Sequence, residues 1–217
     1  MLKKLAYIGM ACFMWGMLEA ATAFDELSLA ILRKDSPIAL DIIKNRVCEI
    51  PNINIINPDD HNRQTLLHQA AENGMHEVVA ALLNAGAQHN IRDHADMIPA
   101  ELALTFGHLS TLEAILNHLK RTNPAELHTL LNTSDPVFNK TLLRNAILAG
   151  NLNAVRMLVE FGAQVTEEDI AEVDNPTNGR SVNLELGAYL RQQRDLQQRG
   201  GFSRVLGWFT GWGGSRG

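Results

Sequence analysis

The feature that most constrains this chain is a segment with helical periodicity that returns at fixed offsets. In its first copy, Leu66, Leu67 and Ala70 share one helix face, and Gly74 separates them from a second helix that ends near Gly86. Neither helix is long enough to bury its apolar face alone, so each pair needs a neighbouring pair on either side. Copies follow at offsets of 33 and 76 residues, and the recurring residues are Ala70, Ala103 and Ala146, and Gly74, Gly107 and Gly150.

The motif and its period resemble the ankyrin repeat, whose signature is Thr-Pro-Leu-His-x-Ala over about 33 residues. The best match is residues 65–70, with Leu66 in place of proline, while the second copy keeps Pro99 and the third keeps Thr141. The resemblance covers about residues 57 to 165. It implies an all-α fold, an ankyrin-type helical repeat solenoid of about four repeats plus C-terminal capping helices. It also implies protein recognition without catalysis.

Four further segments complete the predicted organisation. Residues 24–57 resemble a degenerate N-terminal capping repeat, in which Lys34 takes the place of the usual glycine. Residues 58–165 hold the repeats, with an insertion near 120–137 where Asn123 and Pro124 predict a helix start. The insertion is either a longer second helix or one added turn, and either a binding feature or a neutral one. Residues 166–199 are predicted to form a C-terminal helical cap, and residues 200–217 a tail rich in Gly, aromatic residues and Arg.

Residues 1–23 have the pattern of a cleavable signal peptide. Lys3 and Lys4 precede an apolar run over residues 5–18, which is shorter than the roughly 20 residues that span a bilayer. Small residues at 21 and 23 predict a cut after Ala23, which places the protein in the periplasm or outside the cell. The alternative is an uncleaved anchor helix.

The charge balance opposes non-specific binding of nucleic acid. The chain has a net charge of −5, and loss of Lys3, Lys4 and Glu19 with the signal peptide would make it −6. Only Cys48 would then remain of the two cysteines, so no internal disulfide is expected. Because Cys48 lies between Val47 and Ile50, we predict a buried, small apolar residue rather than a reactive thiol.

The tail differs from the rest of the chain because it is basic and aromatic. On a helix, Phe202, Phe209 and Trp212 would share one face with two aliphatic residues, and Trp208 lies next to it. Such a stripe suits contact with a membrane surface or with a partner's groove. The alternative is a disordered, Gly-rich tail or one that folds back on the solenoid.

The sequence contains no pattern for catalysis, a metal or a cofactor. All eight histidines lie between His61 and His128, but no HExxH motif, cysteine pair or acidic cluster accompanies them. Neither a Gly-rich phosphate loop nor a G-x-S-x-G motif is present. We therefore expect no catalytic residues, no metal site and no cofactor.

The family resemblance places the binding surface at the finger tips between repeats and on the exposed side of each first helix. Leu102 and Phe106 are apolar at positions where water is expected, which suits a contact surface. The alternative for each residue is a solvated turn or packing between neighbouring repeats. The predicted partner-binding residues are Asp60, His61, Asn62, Gln69, Asn73, Arg92, Asp93, His94, Leu102, Phe106 and Asn145.

Overall fold

The computed structural model describes residues 23–56, 61–136, 139–175 and 183–198. These residues form eleven α-helices and one short 3₁₀ helix, Val47–Glu49, and within them no β-strand occurs. The predicted all-α class is confirmed. The helices are α1 (residues 23–32), α2 (Ser36–Arg46), α3 (Leu66–Glu72), α4 (His76–Asn84), α5 (Pro99–Thr105), α6 (Leu109–Thr122), α7 (Pro124–Asn132), α8 (Leu142–Ala149), α9 (Leu152–Phe161), α10 (Glu167–Asp174) and α11 (Leu184–Gln198).

The chain divides after Pro124 into two compact units, which are described separately. In the first unit, tight turns join the helices into three pairs: α1 with α2, α3 with α4, and α5 with α6. The first helices α3 and α5 pack side by side, and the second helices α2, α4 and α6 do the same. This stacking buries the apolar faces that periodicity predicted, including Leu66, Leu67 and Leu82.

The second unit contains α8 paired with α9 and α10 paired with α11, and α10 also packs against α8. The helix α10 begins as the first helix of a repeat does, because the Thr166 side chain accepts the N–H of Asp169 while the Asp169 carboxylate accepts the N–H of Thr166. The connection before α10 is short, with Gly162 and Thr166 only four residues apart, whereas Gly86 precedes the equivalent Ile98 by twelve. This connection is too short to form a finger.

The turn between paired helices requires a left-handed backbone at one residue. Gly74, Gly107 and Gly150 supply it with φ angles of 74°, 76° and 69°. Lys34 takes the same conformation in the first pair, with a φ of 57°, although a side chain makes it unfavourable. The degenerate first pair therefore keeps the turn geometry without the glycine.

The insertion forms a helix of its own. The second helix α6 is longer than α4, with 14 residues against nine, and α7 then begins at Pro124 as the sequence predicts. The predicted signal peptide up to residue 22, Asp60 and the whole 200–217 tail lie outside the described residues. Ala23, the predicted cleavage position, is buried in α1.

The prediction of a buried Cys48 is wrong, since its side chain is exposed. The helix α2 ends at Arg46, and the chain continues as a 3₁₀ turn of three residues. Ile50 after this turn is buried, but the tighter winding changes the direction of the side chains before it. Helical periodicity alone therefore misplaced the thiol.

Candidate functional site

The finger between α4 and α5 is held by the side chains at its base. The Asp93 carboxylate accepts the N–H groups of Ala95 and Met97 at 2.9 Å each, and the Asp93 N–H donates to the Met97 carbonyl at 3.0 Å. The Arg92 guanidinium donates to the Asp96 carbonyl and lies 3.7 Å from the Glu101 carboxylate. Both residues were predicted to bind a partner, and in the structure both hold the finger in shape.

Neighbouring fingers are joined by a backbone hydrogen bond, in which the His94 N–H donates to the Asn62 carbonyl at 2.8 Å. The side chains of His61, Asn62 and His94 are exposed. We call these three residues the finger strip. The predicted binding residue Asp60 lies just before the strip, outside the described residues.

Two predicted surface positions are buried, so the expectation that they are exposed is wrong. Gln69 is 4% exposed and Leu102 is 2% exposed. They are the same position of the motif, 33 residues apart, and this position faces the preceding first helix rather than the solvent. Accordingly, the Gln69 side chain accepts a hydrogen bond from Ser28 of α1 at 3.3 Å. Asn145, the equivalent residue of α8, is half-buried.

The ends of α3 and α5 give a second pair of equivalent residues with different roles. The Asn73 side chain donates to the Ile31 carbonyl at 3.2 Å and so joins the first two repeats. Phe106, its equivalent, is 51% exposed. Of the predicted residues, Phe106 and the finger strip therefore remain exposed.

The amide side chains that hold the two Gly-Ala-Gln turns, at residues 86–88 and 162–164, were not predicted from the sequence. The Asn54 carbonyl oxygen Oδ1 accepts the Gln88 N–H at 2.7 Å, and in the second unit Asn132 Oδ1 accepts the Gln164 N–H at 2.8 Å. In that unit the Gln197 side chain adds two further bonds to the same turn. The signal was present, since an Asn precedes each Gln of this turn by 34 or 32 residues.

Two side chains on second helices have shifted pKa values. Burial, and secondarily the Arg121 charge, lower the pKa of His118 on α6. Burial and the Glu160 charge raise the pKa of Tyr189 on α11, against the effect of Arg156, whose guanidinium lies 5.5 Å from the ring centroid. Within the described residues, no group of three His, Cys, Asp or Glu side chains could hold a metal ion. No helix there is long and apolar enough to cross a membrane.

Comparison with known proteins agrees with this architecture. A family model for three copies of the ankyrin repeat matches residues 27–126. NF-kappa-B inhibitor alpha from Homo sapiens is 30% identical over 144 residues, which is 66% of this chain and 43% of that protein, and the Sus scrofa protein is 29% identical over the same extent. Tyrosine-protein kinase HTK16 from Hydra vulgaris is 29% identical over 106 residues, 46% of this chain and 12% of that protein.

The chain therefore spans less than half the length of the curated relatives it matches. The match over residues 27–126 includes the degenerate first pair and the first two of the three clear copies. Ankyrin repeats are modules of protein–protein interaction, so the general function indicated is binding of another protein. Together with the stacked helix pairs, these matches identify residues 27–126 as repeats of the ankyrin family.

Proposed function

We propose that this protein binds a partner protein through the finger strip and Phe106, and that it acts by binding rather than by catalysis. The observation that carries the proposal is the backbone bond between Asn62 and His94, which fixes neighbouring fingers side by side while their side chains stay exposed. A pre-organised surface loses less conformational entropy on binding than a mobile loop does. Phe106 adds an exposed aromatic side chain, a residue type that often anchors protein interfaces.

The test is capture of partners from an extract of the source cells. A triple variant, His61→Ala, Asn62→Ala and His94→Ala, should lose a protein that the unchanged chain retains. The matched control replaces three exposed residues of second helices, Glu77, Glu113 and Asn117, with Ala and should retain that protein. Unchanged helical circular dichroism shows that each variant folds. If the finger variant captures the same proteins as the control, the binding surface is elsewhere.

We also propose that the protein is exported through the segment that ends at Ala23. Its basic start, short apolar run and small residues before the cut support this. The test is the N-terminal sequence and location of the protein after expression of the whole chain in a bacterial host. Export predicts Phe24 as the first residue in the periplasmic fraction. An intact protein that retains Met1 and stays in the cytosol would contradict it.

A second candidate is an adaptor attached to a membrane surface by residues 200–217. The aromatic residues Phe202, Trp208, Phe209 and Trp212 and the basic charge of this end favour it. Flotation with vesicles that contain anionic lipid tests it, with the whole chain compared with a chain that ends at residue 199. Equal flotation of the two would exclude the tail as an anchor.

A further inference from the structure

We propose that the outer face of α1 and the start of α2 form a self-complementary surface through which two copies of this chain associate. We call this surface the α1 face and define it by Asp25, Leu29, Leu32, Arg33 and Ile38. It lies on the first repeat, apart from the fingers, and it does not rest on the proposed partner-binding function.

The first observation is that the α1 face exposes apolar side chains where the next repeat buries its own. Leu29 and Ile38 are 45% and 53% exposed, and Leu32 is exposed as well. The equivalent residues 40 positions later, Gln69 and Val78, are buried. In a stacked array, a preceding helix pair covers this face. The first repeat thus has a face of the type that another helix pair covers.

The second observation is the charge pattern along α1, which identifies a second copy as the partner. Exposed acidic residues, Asp25 and Glu26, lie near the start of the described part of α1, and exposed basic residues, Arg33 and Lys34, follow its end. Glu26 already pairs with Arg46 in the same copy, so Asp25 is the acidic residue assigned to the contact. A face that is acidic at one end and basic at the other complements itself in an antiparallel arrangement.

The spacing along the helix fits a two-fold axis. Asp25 and Arg33 are eight residues apart, about 12 Å along a helix, and Leu29 lies midway between them. Antiparallel packing of two α1 helices at Leu29 places Asp25 of each copy opposite Arg33 of the other. Leu32 and Ile38 lie beside the axis and add apolar area. Because the surface is small, we expect a weak dimer with a Kd of about 10–100 µM.

The test is sedimentation equilibrium of the chain as isolated from cells, over a concentration range that spans this Kd. Leu29→Glu should abolish the dimer, because it places two like charges at the axis. Arg33→Glu and Asp25→Arg should each weaken it about tenfold or more, since each creates two like-charge contacts. The double variant Asp25→Arg with Arg33→Glu restores both opposite-charge pairs and should recover the dimer.

The control is Leu196→Glu, which changes an apolar side chain of similar exposure on α11, outside the α1 face, and should leave the dimer unchanged. Since Leu29 is exposed, its substitution should not alter the circular dichroism, and Leu29→Ser provides a second, uncharged variant. A wild-type chain that stays monomeric at ten times the expected Kd would overturn the proposal. A dimer that survives Leu29→Glu, or that the double charge reversal does not recover, would overturn it too.

Discussion

His68 in α3 and Arg144 in α8 occupy the same position of the repeat, the third residue of a first helix, yet they connect that helix to the next repeat by different chemistry. Nδ1 of His68 accepts the Thr65 N–H at 3.2 Å. The ring proton then lies on Nε2, which donates to the Met97 carbonyl at 3.2 Å, directly before α5. His68 is buried, and its bonds join uncharged groups.

The Arg144 guanidinium instead contacts the acidic start of α10. It lies 3.6 Å from the carboxylates of Glu168 and Asp169 and 3.7 Å from that of Glu172. The side chains of Asp169 and Glu172 are buried, and Arg144 is partly exposed. The Arg144 N–H still donates to the Thr141 side chain at 3.1 Å, which caps α8 as Thr65 would cap α3.

In α3 and α8, the position in the repeat rather than the residue type determines this contact. The third residue of each of these two helices reaches the start of the next first helix, so either an imidazole or a guanidinium can join the two. The two solutions respond differently to conditions. Neutral bonds are insensitive to salt, whereas a network of one arginine and three carboxylates is weakened by salt.

The largest effect should come from a charge placed in the core of either unit, because it disrupts the packing whether or not the contacts of His68 and Arg144 are intact. Leu82 and Leu158 are equivalent residues of α4 and α9, and both are fully buried. Changing either to Asp buries a charge without a partner and should cost more than about 4 kcal/mol of unfolding free energy. Far-UV circular dichroism should show lost helix. A melting curve like that of the wild type would show that the repeat alignment is wrong.

The next largest effect should come from Arg144→Met, which leaves Asp169 and Glu172 buried without this arginine. We expect a loss of about 3 kcal/mol at pH 7 in low salt, measured by urea denaturation, and a smaller loss in high salt, because salt screens the charges of this network. Arg156→Met is the matched control, because its pair with Glu185 is exposed and should contribute under about 1 kcal/mol. Equal losses for both variants would remove the distinction between the two arginines.

His68→Ala tests the neutral connection. It leaves the Met97 carbonyl and the Thr65 N–H without their bonds to the imidazole, at a cost of about 1–3 kcal/mol. Unlike the loss in Arg144→Met, this loss should be the same in low and in high salt. A loss that shrinks as salt is added would show that charge contributes to this connection as well.

The glycine turns of the first unit allow two repeats to be compared. A Cβ added at Gly74 would lie 2.7 Å from Nδ1 of His108, whereas one added at Gly107 would meet no atom within 4 Å. Gly107→Ala should therefore cost only the left-handed backbone, about 1 kcal/mol, and Gly74→Ala about twice that. Thermal melts of both variants measure the difference, and equal costs would show that His108 moves aside freely.

The smallest effect should be the pH dependence of stability that His118 gives to the first unit. The pKa of His118 is lowered in the folded protein, so the unfolded chain binds a proton first as the pH falls below about 6.5. His118 should therefore make the protein less stable as the pH falls from 7 to 5. His118→Gln should flatten this slope in a series of urea titrations, and an unchanged slope would mean that other groups cause it.

Much of the fold follows from the sequence because helix periodicity and glycine spacing are local signals. They predicted the helix pairs and the start of α7 at Pro124. The failures concern which side of a helix its neighbours cover. Gln69 and Leu102 face the preceding first helix, and no local pattern distinguishes that side from the exposed one.

The connection through Arg144 was missed for a similar reason. Its partners on α10 are separated from it by a whole helix, so their proximity depends on the packing of α8 against α10. The finger strip was easier to predict, because the fingers occupy a fixed place in the repeat. The hydrogen bonds of Arg92 and Asp93 at the base of the finger between α4 and α5 could not be predicted from the sequence.

The most direct test is hydrogen exchange of backbone amides in His68→Ala and Arg144→Met, because it measures whether the third residues of α3 and α8 hold the starts of α5 and α10. We expect faster exchange at the start of α5 in the first variant and at the start of α10 in the second, with the other helix start unchanged in each. Equal acceleration at both starts, or none at either, would contradict it.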